Sequence, residues 1–95
     1  MYTRSRLIVD IVNGAVGNCM DWIHKNDKPK YEGPLIKKVP FFVEHRIRML
    51  TVGQFLDLYE LHHRDLRRYK GKTLVEKATK WISELVELEL AKLYA

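Results

Sequence analysis

The sequence predicts a small, mostly α-helical bundle forming a single domain over residues 1–95, and three observations predict it. Apolar residues recur at steps of three and four along the last part of the chain. Two capping-box signatures, Thr51 with Gln54 and Thr73 with Glu76, stand at the head of such runs. A chain of 95 residues that is 46% apolar and 31% charged supports one packed core, and its composition argues against wholesale disorder.

The elements follow in order. Ile8, Ile11, Val12, Ala15, Val16, Cys19, Met20 and Ile23 share a helical face, which predicts a helix over about 4–25 capped by Thr3 or Ser5. Gly14 and Gly17 would each weaken that helix by about 1 kcal/mol relative to Ala. They are therefore expected at a close helix contact or a bend. Asn13-Gly14 is also a hairpin signal, so a break near Asn13 is the alternative. Residues 26–40 hold Pro29, Gly33, Pro34 and Pro40 and read as an extended connector. Residues 41–50 are ambiguous: Val43, His45, Ile47 and Met49 alternate with charged residues as in a strand, whereas Val43, Ile47 and Leu50 fit a helix with Pro40 at its first position. A short helix is preferred, with a short β-ribbon over 35–49 as the alternative.

A helix over 51–69 is expected to bury Val52, Phe55, Leu56, Tyr59 and Leu66, leaving Leu58 and Leu61 outside that stripe. Lys70-Gly71-Lys72 then makes a tight turn in which Gly71 could take positive φ. The final helix, 74–94, completes a C-terminal helical hairpin.

Charge is unevenly placed. The net +5 comes from two basic blocks: residues 25–50 carry seven basic against three acidic groups, and residues 62–72 carry five against one. The single cysteine, Cys19, excludes an internal disulfide framework. With no signal-peptide pattern at the N-terminus and no long uncharged apolar run, a cytoplasmic location and no membrane span are expected.

Chemistry-bearing motifs are scarce. His63-Arg64-Asp65-Leu66 matches the start of the protein-kinase catalytic loop, but Lys70 stands where that loop needs Asn, and no glycine-rich phosphate loop accompanies it. Gly14-Ala15-Val16-Gly17 has the spacing of the phosphate-clamping KH loop, with apolar interior residues in place of lysines. His62 and His63 point about 100° apart on a helix and cannot chelate one ion comfortably. The opening of the 51–69 helix resembles the first helix of the core-binding domains of tyrosine recombinases; the likeness is confined to one helix and implies no function. No catalytic residues, cofactor, metal site or small-molecule substrate are expected, and the chain reads as a non-enzyme.

Two binding readings remain. In the 74–94 helix, the apolar residues cover an arc of roughly 160°, against the about 100° that one core requires. This predicts surplus apolar surface for a partner unless the helix is central and covered by three neighbours. The expected partner-binding residues are Tyr59, Trp81, Leu88, Leu90 and Tyr94. The function this implies is that of a regulatory or inhibitory binding protein, of the accessory kind found in phages and mobile elements. It would dock on a larger protein or nucleoprotein complex, or on a second copy of itself, through an apolar strip with a basic flank. The alternative is direct DNA or RNA binding through blocks 25–48 and 62–72. There His62, His63, Arg64, Arg67, Arg68, Lys70 and Lys72 would meet phosphates or an acidic surface while Tyr69 stacks on a base.

Overall fold

The computed structural model describes residues 5–25 and 34–93, and within these the chain forms four helices: α1 (Arg6–Lys25), α2 (Pro34–Arg48), α3 (Val52–Leu66) and α4 (Leu74–Leu93). No strand occurs among the described residues, so the ribbon alternative over 35–49 does not form. Helices α1, α2 and α4 pack on one another, and α3 lies against α4 and, more lightly, α1. No helix among the described residues is long and apolar enough to cross a membrane.

In α1 the buried residues are Ile8, Ile11, Val12, Ala15, Val16, Cys19 and Ile23, one helical face with no break at Asn13. Ser5 caps it, its Oγ accepting from the Ile8 amide at 3.4 Å. Thr3, the other candidate cap, lies outside the described residues. The two glycines separate in role. A Cβ on Gly14 would stand 3.0 Å from Cζ and Nε of Arg46, whose side chain crosses α1 from α2 and donates from Nε to Asn18 Oδ1 at 2.9 Å. Gly17 has open space around it, and nothing in the structure explains it.

Residues 34–40 of the expected connector are helical, and 26–33 lie outside the described residues. Helix α2 begins at Pro34, which takes the first-position role expected of Pro40, and Pro40 sits inside the helix. An interior proline loses one backbone hydrogen bond and costs about 3 kcal/mol. Val39, Val43 and Ile47, spaced by four and almost fully buried, offset it, since each such side chain contributes about 1.5–3 kcal/mol.

Helix α3 faces the core partly as expected, with Leu66 buried and Phe55 packed against it, but its stripe is shifted. Its buried residues are Leu58, His62 and Leu66, a single narrow stripe. Val52, Leu56 and Tyr59, expected inside, are 79%, 54% and 55% exposed. The helix carries apolar residues on several sides, so periodicity alone could not choose the stripe; the packing of His62 chose it, as described below. The capping box forms as expected, with Thr51 Oγ1 accepting from the Gln54 amide at 3.1 Å and Gln54 Oε1 accepting from the Thr51 amide at 3.0 Å.

At the head of α4, Thr73 Oγ1 accepts from the Glu76 amide at 3.1 Å, but the Glu76 carboxylate reaches one residue further back, to the Lys72 amide at 2.8 Å. Gly71 is needed for room and not for positive φ: a Cβ there would meet Glu76 Cβ at 3.0 Å. The helical hairpin is angled and not antiparallel, because both ends of α3 meet the first turns of α4. Helix α4 is the central element, touching the other three. Most of its wide apolar arc is consumed there: Ala78, Trp81, Ile82, Val86 and Leu90 are core residues.

Candidate docking groove

Helical geometry puts Val52, Leu56, Tyr59 and His63 within roughly 60° of one another, along the flank of the buried stripe. This flank faces the first turns of α4 and opens into two adjoining hollows. One, of about 300 Å³, is lined by Ile47, Leu50, Val52, Phe55, Leu56 and Val75, with Arg48 and Thr51 at its edge. The other, of about 370 Å³, is lined by Tyr59, Leu66 and Leu74 together with His63, Arg67, Lys72, Thr73 and Lys77. Leu56 and Tyr59 are less than one helical turn apart, and Leu74 and Val75 are neighbours, so the two hollows adjoin and together make up the candidate groove. It is mostly apolar at one end, Arg48 apart, and cationic at the other, and no carboxylate among the described residues lines either hollow.

The sequence-expected site residues scatter across this frame. Trp81 and Leu90 are 6% and 0% exposed and belong to the core. Their expected place on a partner surface is corrected by the centrality of α4, whose neighbours cover them. Leu88 is exposed on the outer side of α4, away from the groove lining, and Tyr94 lies outside the described residues. Tyr59 lines the groove. In the basic set, His63, Arg67 and Lys72 line the cationic hollow, while Arg64, Arg68 and Lys70 are exposed outside it. The Lys70 carbonyl accepts from Lys80 Nζ. Tyr69 is not free to stack on a base: it is half-buried, and its hydroxyl donates to Glu84 Oε2 at 2.6 Å. Burial, and then that bond, push its phenol up to about 12.

His62 is also corrected. It is 4% exposed, packed against Trp81 with ring centroids 5.2 Å apart and planes inclined at 45°, and cannot reach a surface. Its Nε2 meets Ser5 Oγ at 2.7 Å and its Nδ1 lies 3.7 Å from Asp65 Oδ2. The backbone bends to place it, at φ −127° and ψ 20°. Ser, His and Asp in this order form the relay of acyl-transfer enzymes. Here the imidazole is buried against Trp81 and the serine hydroxyl is the cap of α1. The relay acts as a clamp between α1 and α3. Burial lowers the pKa of His62, against the opposing pull of Asp65, and so favours the neutral ring. Cys19 is likewise inert, buried in α1 with its thiol pushed up to about 11 by burial. Among the described residues, no cluster of three or more His, Cys, Asp or Glu could hold a metal ion.

Sequence reasoning missed Val52, Leu56 and Val75 as accessible apolar residues, and Thr73 and Lys77 as lining groups. The available signal was the Val52-Leu56-Tyr59-His63 spacing, which shows an apolar flank running into a basic one. Comparison with known proteins finds no matching family model, no similar curated protein and no similar solved structure.

Proposed function

We propose that this protein is a non-enzymatic regulatory or inhibitory binding protein whose α3–α4 groove receives an amphipathic helical segment of a larger protein. One observation carries the reading: a mostly apolar hollow and a cation-lined one lie side by side along α3 and the head of α4. Apolar anchors at Leu56 and Val75 would supply affinity by leaving water. The cations at the other end would fix direction, because only a segment with acidic residues past its apolar face meets them favourably. Helix-in-groove recognition of this kind reads anchors at i, i+4 and i+7, which matches the length of exposed α3.

The test is selection of helical peptides from a display library against the full chain, with Leu56→Asp as the counter-selection. Enriched peptides are expected to carry apolar residues on one face with Asp or Glu at one end, and to shift amide resonances of α3 and the head of α4. Enrichment without acidic residues, or shifts elsewhere on the molecule, would sink the reading.

A second reading has its own support. Arg64, Arg67, Arg68 and Lys72 enter no ion pair among the described residues. The outer face of α2 adds Lys37, Lys38, His45 and Arg48 around exposed Phe41, with Lys38 Nζ 5.5 Å from that ring. A nucleic-acid binder using these faces would lose affinity steeply with salt. A gel shift at two salt concentrations separates it from groove docking, which Leu56→Asp abolishes and added salt only weakens.

A further inference from the structure

The cationic hollow has more positive charge than a carboxylate requires. Three permanently charged groups line it: Arg67 from the end of α3, Lys72 from the turn and Lys77 from the first turns of α4. None of the three is in an ion pair among the described residues. Two acids of α4 accept from other donors, Glu76 from the Lys72 amide at 2.8 Å and Glu84 from the Tyr69 hydroxyl at 2.6 Å. Thr73 Oγ1 accepts from the Glu76 amide and keeps its own proton to give. An arginine, two lysines and a threonine lining one space suit a dianion with several acceptor oxygens.

Size and wall chemistry narrow the ligand. The hollow measures about 370 Å³, and with about 30 Å³ per water it has room for roughly a dozen waters, more than a bare inorganic anion fills. Its α3 wall carries two rings, Tyr59 and His63, with centroids 6.4 Å apart and planes inclined at 42°. His63 is held in place by its Nδ1, which lies 3.2 Å from the Glu60 carbonyl. A flat ring entering between the groove and these walls would stack or meet them edge-on.

The geometry points to a binding site for an aromatic phosphate monoester, a phosphorylated tyrosine of the docking partner, seated in the hollow between α3 and the head of α4. This rests on the docking reading, and it adds that docking is switched by phosphorylation of the partner.

The test titrates phenyl phosphate into the full isotope-labelled chain, with inorganic phosphate, phenyl sulfate and a 5′-mononucleotide as parallel arms. Phenyl phosphate is expected to saturate shifts at Tyr59, His63, Arg67 and 72–77, and to bind about tenfold more tightly than the singly charged sulfate ester, as one added charge-assisted contact implies. Inorganic phosphate should bind more weakly for want of a ring. Arg67→Gln and Lys77→Gln, both at exposed or half-buried positions, should each weaken binding about tenfold, while Leu56→Asp leaves it unchanged. Non-saturating shifts, indifference to both Gln substitutions, or binding of the mononucleotide without phenyl phosphate would overturn the assignment. The two readings fail separately: peptides captured without phenyl phosphate binding remove only this one, and phenyl phosphate bound without peptide capture removes only the docking.

Discussion

His62 decides how α3 attaches. Its ring closes a path from Ser5 at the cap of α1, through Nε2, to Asp65 on α3, beneath the indole of Trp81. Because burial is the larger influence, its folded pKa lies below the ordinary value of 6.5. The sign of the linkage follows. Below about pH 6.5 the unfolded chain takes up a proton that the folded ring resists, so the stabilisation is complete above that value. It drains away as pH falls through the folded pKa. Urea unfolding between pH 7.5 and 5 should show this loss in the natural chain and a flatter curve in His62→Gln, whose amide can still accept from Ser5. Parallel curves for the two chains would mean that His62 is not the titrating group.

At the scale of the helix, α1 contains a matched pair of controls. Gly17 faces open space, so Gly17→Ala should raise stability by about 1 kcal/mol through helix propensity alone. A Cβ at Gly14 would stand 3.0 Å from the Arg46 guanidinium, so the same change there must displace a side chain that also donates to Asn18. Gly14→Ala should therefore gain less than Gly17→Ala or lose stability. Chemical denaturation of the two variants reads the difference directly, and equal gains would show that the α1–α2 contact has room to spare. Helix α3 makes the opposite point: its register could not be read from its own residues, because Leu58 and Leu56 are equally apolar and only one belongs to the core.

For the whole molecule, the surplus of apolar surface is real but displaced. A central α4 hides Trp81 and Leu90, and a peripheral α3 exposes Val52, Leu56, Tyr59 and Leu61. Core and groove are therefore separable by mutation. Leu90→Ala should cost about 2–5 kcal/mol, or unfold the domain outright. Leu56→Asp should change stability by only about 0.5 kcal/mol, as surface changes do. Thermal and urea unfolding of both variants checks this, and a Leu56→Asp chain as unstable as Leu90→Ala would return the groove to the core. Separability also makes Leu56→Asp a fair probe of binding, since its fold should survive.

Local rules carried much of this protein. The capping box at Thr51, the Thr73 cap on α4, the three-and-four spacing of α1 and α4, and the cation block at 62–72 were all legible, because each depends on neighbours within a turn or two of the chain. Three features were not. Pro34–Pro40 looked like connector until the burial of Val39, Val43 and Ile47 outweighed an interior proline. The facing of α3 was settled by Ser5 and Trp81, partners 57 and 19 positions away from His62. The groove itself depends on where α3 comes to rest against α4. Spacing reports which residues can share a face; which face is hidden depends on burial summed over distant segments, and that sum exists only once the chain has closed on itself.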